Sequence, residues 1–444
     1  MRDAQHTIRK GLEPALVVVL AGICAALHVG KLPPALPALQ QALGVTLVQA
    51  GFLLSLVQMA GMLLGIAVGL AADGFGARRS MASGLLLLAL ASAWGGTARD
   101  VPLLMLLRAA EGLGFLLVVL PAPGLVRRLV APQRMSLMLG AWGTFMPAGT
   151  ATALLLGPLC ISAWGWQAWW WALAGVSLLM AVWLVRAVPE TGRRARPEAS
   201  GPAPPLGESP AALGAGSRTA ARARLGRVVP AGQPAAAAPA DAADTWRTRL
   251  RLTLASRGPW LVAWSFALYS SQWLAVIGFL PVIYTQAGVS DAATGVLTAL
   301  AAAVNIIGNV ASGRLLHGGA RAGQLLTIGF IAMALAALAA FAGGPGVGLP
   351  PSLRYLAVLV FSMAGGMIPA TLFSLAVRVA PSESTLASTV GWMQQWSALG
   401  QFCGPPLVAW VASRSGDWQW TWVVTGAFSL LGLALVRQLR AFDR

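Results

Sequence analysis

An all-α membrane protein of twelve transmembrane helices, arranged as two pseudo-symmetric six-helix bundles, is the fold that the sequence predicts. Three observations predict it: an apolar composition, a regular series of spanning-length runs, and a repeat relating the two halves. Of the 444 residues, 57% are hydrophobic and 10% are charged, whereas soluble domains carry roughly 25% charged residues. So few charges could not cover a soluble core of this size. Soluble enzymes and soluble nucleic-acid binders are disfavoured before any motif is considered.

Apolar runs about 20 residues long, the length that crosses a bilayer, fall at 14–37, 48–71, 81–98, 101–126, 135–162 and 168–186. After a gap they resume at 258–285, 293–316, 323–342, 353–377, 385–413 and 419–437. None shows the period-two alternation of a membrane barrel, and backbone polar groups in lipid must be satisfied within each segment, so all are expected to be helical. The first run follows Arg2, Arg9 and Lys10 in the manner of a secretory signal peptide, and Leu20–Cys24 approaches a lipoprotein cleavage box. Ile23 intrudes in that box and no A-x-A site follows before the next run, so a retained helix is the expectation.

Residues 187–257 are rich in Ala, Pro, Gly and Arg, as in Gly201–Pro210 and Val229–Ala243. Such a composition buries too little to offset chain entropy. The domains expected are therefore an N-terminal six-helix bundle at 1–186, a flexible cytoplasmic linker at 187–257 and a C-terminal bundle at 258–444.

Charge distribution gives the orientation. With the N-terminus inside, the inner loops hold Arg78, Arg79, Arg127, Arg128, Arg134, the arginines of the linker, Arg314, Arg321 and Arg378. The outer loops keep only Lys31, Arg99, Arg354 and Arg414. By the positive-inside rule both termini are cytoplasmic, and the setting expected is a bacterial plasma (inner) membrane crossed many times.

The net charge of +17 is confined to these short loops and does not mark a nucleic-acid partner. Lysine occurs only as Lys10 and Lys31, so no P-loop lysine exists. His6, His28 and His317 are too scattered for a metal motif. Cys24, Cys160 and Cys403 lie inside apolar runs and are expected to act as small core residues. With no clustered nucleophile, metal set or general base, neither an enzyme nor a cofactor is expected.

The halves echo each other. Gly69-Leu70-Ala71-Ala72-Asp73-Gly74-Phe75-Gly76-Ala77-Arg78-Arg79 follows the second run, and Gly313–Arg321, with the same glycine-polar-glycine-Ala-Arg order, follows the eighth. Gly157-Pro158 recurs as Gly404-Pro405, and Trp166-Gln167 as Trp418-Gln419. Recurrence in fixed order across half a chain marks a duplicated unit. The run 69–79 resembles the signature loop of the major facilitator superfamily, with Gly74 where a basic residue is usual, and Arg108-x-x-Glu111-Gly112 resembles that family's second motif on helix 4. The resemblance spans the whole chain apart from the linker. It implies a prokaryotic secondary transporter, with an anion (cyanate-type) branch as one expectation. The drug-antiporter signature of helix 5 is incomplete: Gly140 and Gly149 are placed for it, but Ala153 and Leu154 stand where Gly-Pro should follow. Gly391, Gly400, Gly404 and Pro405 fit its first part in helix 11 instead, which close helix packing explains.

Candidate functional residues follow from these motifs. In the family, the loop of Gly69, Asp73, Gly76, Arg78 and Arg79 latches the two halves on the cytoplasmic side. The glycines allow close approach and a left-handed turn, Asp73 suits a helix N-terminus, and the arginines anchor the interface. Ionisable residues within a membrane are functional candidates by default. Arg108 and Glu111, three residues apart on one helical face, are read either as a structural pair or as the proton-coupling pair. Lys31 either snorkels outward or faces the cavity, with His28 one turn earlier. The family's cavity-lining helices add Tyr269 and Gln272 on helix 7, and Asn305 and Gln394 lie on helices 8 and 11. Lys31, Arg108, Tyr269, Gln272, Asn305 and Gln394 are the expected substrate contacts. Trp169, Trp170 and Trp171 read as an interfacial belt.

The function expected is secondary active transport of a small organic or inorganic anion coupled to protons, by alternating access and as a monomer. Three buried charges with a net positive sum attract anions. The alternatives are an efflux antiporter for drugs or neutral solutes, and a non-transporting membrane sensor on the same fold. The expected partners are the small-molecule substrate, protons and the lipid bilayer.

Overall fold

The computed structural model describes residues 2–65, 76–131, 138, 141–190, 246–343 and 348–442, with side chains from Pro14 onward. Every regular element among the described residues is helical. Nine stretches there are long and apolar enough to cross a membrane. One of them, Phe145–Ala187, holds two spans, because Gly165 (φ 84°, ψ 165°) breaks it. Only glycine adopts that backbone without strain, so the break between the fifth and sixth spans rests on one residue. The third and eleventh spans are the helices Ala77–Gly95 and Leu386–Ser415, which complete the twelve. Their polar content has local causes: Arg78 and Arg79 open one, and the other carries Gln394, Gln395 and Gln401.

In chain order the helices are α1 (Arg2–Gly30), α2 (Leu32–Leu43), α3 (Leu47–Ser55), α4 (Ala77–Gly95), α5 (Val101–Val119), α6 (Ala122–Leu129) and α7 (Phe145–Ala187). The second half adds α8 (Trp246–Ala255), α9 (Arg257–Gln286), α10 (Asp291–His317), α11 (Ala322–Phe341), α12 (Pro351–Val379), α13 (Leu386–Ser415) and α14 (Thr421–Leu439). The first span is thus two helical segments whose hydrogen bonding is interrupted at Lys31, since Pro33 and Pro34 have no N–H to offer the carbonyls one turn back. Lys31 itself keeps helical angles (φ -68°, ψ -28°), and the span continues from Pro14 to Leu43. The second span continues through a 3-10 turn at Leu56–Gln58 and stays helical to Gly65. The expected linker is shortened at its end, because residues 246–255 form α8. Thr253 Oγ1 of α8 lies 2.8 Å from Ser388 Oγ of α13, and Trp260 Nε1 donates to the Leu254 carbonyl at 2.8 Å. The Gly201–Pro210 and Val229–Ala243 stretches lie outside the described residues.

Among the described residues the halves meet along several pairs of spans, the first and seventh included. Gln58 Nε2 donates to Gln401 Oε1 at 3.1 Å, and Gln395 Nε2 donates to the Met62 carbonyl at 2.8 Å, joining the second span to α13. Gly295 of α10 packs against Pro158 of α7, and Gly278 of α9 against Leu54 of α3. α9 is buried along nearly its whole length, from Leu261 to Val282 apart from Trp264, as befits a helix surrounded by protein.

Close approach is the packing rule inside the second half. A methyl group on Gly308 would overlap the Met363 carbonyl, and one on Gly366 would overlap that of Asn305, so α10 and α12 touch backbone to backbone. Gly308→Ala should therefore lower the thermal midpoint of the detergent-purified protein by several degrees, as overpacking costs about 1–3 kcal/mol. Gly313→Ala, on the same helix but with open space at that position, should leave the midpoint unchanged or slightly raised.

Candidate functional site: a buried charge cluster in the N-terminal half

Lys31 lies on the inward face of the first span, so its ammonium enters the N-terminal bundle rather than the outer surface. Lys31, Arg108 and Glu111 are 0%, 0% and 1% exposed. Lys31 Nζ pairs with Glu111 Oε1, and Arg108 Nη1 donates to Glu111 Oε2 at 2.6 Å. The i,i+3 spacing on α5 made the second contact available, and the packing of the first span against α5 supplies the first. One carboxylate therefore serves two cations.

Most of the remaining donors are also engaged, while Arg108 Nη2 is buried without a hydrogen-bond partner. Arg108 Nη1 reaches the His28 carbonyl at 2.7 Å and Arg108 Nε reaches that of Leu53 at 3.2 Å. Lys31 Nζ donates to Ser92 Oγ at 2.9 Å, which in turn donates to the Trp170 carbonyl at 2.8 Å. The same ammonium sits 4.5 Å from the centre of the Trp170 ring, a cation–π contact. Trp169 Nε1 donates to the Lys31 carbonyl at 3.1 Å. His28 completes the cluster, with Nδ1 3.6 Å from Glu111 Oε1 and Nε2 2.7 Å from Ser177 Oγ. Groups from the first, second, third, fourth and sixth spans thus converge on one carboxylate.

This geometry corrects two expectations. Lys31 and Arg108 do not present free cations to a cavity, since both are fully buried and engaged with Glu111. Trp169 and Trp170 are not belt residues: they are 4% and 1% exposed and pack around Lys31, whereas Trp171 is half exposed. Ser92, Ser177 and the carbonyls of His28 and Leu53 were missed by sequence reasoning. Small hydroxyls and backbone atoms carry no signal until the helices are placed.

The other expected substrate contacts lie in the second half, apart from this cluster. Asn305 Nδ2 donates to Tyr269 Oη at 3.2 Å and to the Ser362 carbonyl at 2.8 Å. Asn309 Nδ2 donates to Asn305 Oδ1 at 2.9 Å, and Trp273 Nε1 donates to Ser362 Oγ at 3.1 Å. Gln272 turns away from this network: its Oε1 accepts from Ser429 Oγ of α14 at 3.0 Å and its Nε2 donates to the Leu268 carbonyl at 3.0 Å. Gln394 is half-buried on α13. The six residues thus form a charged group, a neutral network and two separate amides.

Of the expected latch, Gly69 and Asp73 lie outside the described residues. Gly76 has φ 94°, a conformation that favours glycine. Arg78 Nη2 donates to the Val185 carbonyl at 2.7 Å and Arg79 pairs with Glu190, both at the end of the sixth span. The arginine contacts present are therefore within the N-terminal half.

Removing one partner from a buried ion pair costs about 3–5 kcal/mol, because the other charge is left uncompensated. Counting charges, Lys31→Met leaves one cation and one anion, whereas Glu111→Gln leaves two cations. Glu111→Gln should therefore lower the thermal midpoint markedly more than Lys31→Met, as read by unfolding of the purified protein. The reverse order would show that the Lys31 contacts with Ser92 and Trp170 outweigh the charge balance.

Comparison with known proteins places these features in context. The family model described as Major Facilitator Superfamily matches residues 18–402. A tetracenomycin C resistance and export protein of Streptomyces glaucescens is 30% identical over 173 residues, 37% of this chain and 31% of that protein. The match thus spans about a third of that relative's length. Two crystal structures of a bacterial homologue of the human lysosomal transporter Spinster, both inward-facing, share the fold. The unoccupied form has a TM-score of 0.70 at 15% identity over 98% of each chain. The occupied form has a TM-score of 0.71 at 14% identity over 96% of each chain.

Proposed function

The chain belongs to the major facilitator superfamily, and from that premise we propose that it is a secondary active transporter carrying a small organic or inorganic anion with protons by alternating access. It is a multi-pass membrane protein, and the arginine-rich loops support a plasma-membrane setting with both termini cytoplasmic. The observation that carries the proposal is the sharing of Glu111 by Lys31 and Arg108. With all three ionised the cluster carries one positive charge in excess, and a proton on Glu111 raises the excess to two.

The coupling follows from that arithmetic. Protonated Glu111 can no longer balance either cation. Arg108, which also holds the carbonyls of the first and second spans, then has a donor edge to offer a carboxylate or similar anion. Proton and anion favour each other's binding, and linkage makes the effect reciprocal. Rocking of the two halves along the second–eleventh and fifth–eighth seams would expose the cluster to one side at a time. The loop of Gly69, Asp73, Gly76, Arg78 and Arg79 acts as the cytoplasmic latch in this scheme, and Tyr269, Gln272, Asn305 and Gln394 supply neutral contacts from the other half.

A second reading is export of a neutral solute, favoured by the tetracenomycin export relative and by the uncharged Tyr269–Asn305–Ser362 network. Purified protein in vesicles separates the two. Under an imposed pH gradient, wild type should accumulate labelled small anions, and Glu111→Gln should lose gradient-driven transport at least tenfold while retaining exchange at equal pH. Arg108→Ala should lose both. Normal anion transport by Arg108→Ala, or no anion transport alongside gradient-driven movement of tetracenomycin C, overturns the anion reading.

A further inference from the structure

Helix α8 has no role in the transport scheme, yet it carries a distinctive surface. Its sequence Trp246-Arg247-Thr248-Arg249-Leu250-Arg251-Leu252-Thr253-Leu254-Ala255 is basic and apolar with no acid. Arg247, Leu250, Arg251, Leu254 and Ala255, spaced i, i+3, i+4, i+7 and i+8, share one face and line a groove of about 460 Å³. Arg251 is exposed, as are Leu252 and Leu254 at 45% and 37%. Thr253, on another face, is buried where it meets Ser388, so the helix is fixed on the bundle and turns the groove outward. Glu383 sits on the exposed turn beside α8.

Immediately beyond the helix lies an aromatic cluster. Trp260 packs edge-to-face on Trp392 at 4.9 Å and on Trp396 at 5.5 Å, and Trp264 lies 4.2 Å from Trp396 between ring centroids. The Trp260 indole is tied to α8 through the Leu254 carbonyl, so groove and cluster are continuous. Trp264 is 44% exposed on a helix otherwise buried along this stretch. Cationic groups above, an apolar floor and half-exposed tryptophans below follow the layering of a phospholipid at a membrane interface.

We propose that α8 and this tryptophan cluster form a binding site for one anionic phospholipid of the leaflet on which α8 lies, cytoplasmic in the orientation proposed above. The phosphate sits over Arg247 and Arg251, and an acyl chain runs along Leu250, Leu254 and Trp264. The site holds the start of α9, the central helix of the second half, to the membrane surface.

The test needs no knowledge of the substrate. Full-length protein is placed in phosphatidylcholine vesicles containing equal fractions of either brominated phosphatidylglycerol or brominated phosphatidylcholine, and tryptophan quenching is recorded. Each arginine near an anionic surface favours the lipid about fivefold, so phosphatidylglycerol should be preferred roughly twentyfold at the quenchable site. Arg247→Gln/Arg251→Gln should bring the two lipids to equal quenching, and Trp264→Phe should reduce the excess. Equal quenching in wild type, or an excess that survives the double arginine variant, overturns the site. Failure of anion transport in the vesicle assay would leave this result untouched, because quenching reads lipid contact alone.

Discussion

The N-terminal half is organised around one carboxylate. Glu111 lies where no water screens it, so the two cations that reach it are bound more strongly than at a surface, and each would be intolerable there alone. That constraint dictates the surrounding chain. The first span must present Lys31 on its inward face, and it does so with helical backbone angles at that residue. Arg108 reaches carbonyls of the first two spans through Nε and Nη1, and its Nη2 stays buried without a partner. Serines occupy positions 92 and 177 because a hydroxyl fits between helices and satisfies a neighbouring charge or ring nitrogen. Gly112 follows Glu111 because a side chain there would strike the Val57 carbonyl.

Such a cluster is a poor choice for stability alone. Well-packed apolar residues of similar volume would hold these helices as firmly without the desolvation that ions demand. Ions buried in a bundle are most readily understood as a device with two charge states, each suited to a different arrangement of helices. The contacts of Arg108 with the backbone of two neighbouring spans give a direct route from a proton on Glu111 to helix position, since the same guanidinium is bound at both ends.

Much of this was legible in the sequence, and the limits have physical causes. The twelve spans were readable because lipid demands length and apolarity of every span. The Arg108–Glu111 contact was readable because helical spacing fixes it locally. The partner of Lys31 was not, since only the packing of the first span against its neighbours decides whether that face of the helix points outward or inward. Trp169 and Trp170 misled for a similar reason: tryptophan suits both an interface and a buried cation, and only the third residue of the run reaches the surface. Helix α8 was hidden within a segment whose composition, averaged over its length, reads as disordered. Ten residues that hold three arginines and three leucines are diluted in that average, although their i, i+4 order was present.

The asymmetry between the halves carries the last step of the argument. The repeat at Gly69–Arg79 and Gly313–Arg321 shows that the two bundles share a plan, yet among the described residues the buried ions lie in the first. Where the first has Lys31, Arg108 and Glu111, the second has Tyr269, Asn305, Asn309 and Ser362, joined by neutral hydrogen bonds at 2.8–3.2 Å. A neutral network keeps its charge when a proton passes, so it offers a constant surface through the cycle. In the proposed scheme the ionic cluster changes its charge with every proton exchanged. Under that proposal, a duplicated fold that places its variable charge in one half and its constant hydrogen bonds in the other separates the sensing of protons from the shaping of the solute's site. The lipid-facing helix before α9 then lies on the constant half, where anchoring to the membrane surface does not oppose the charge-driven movement of the other.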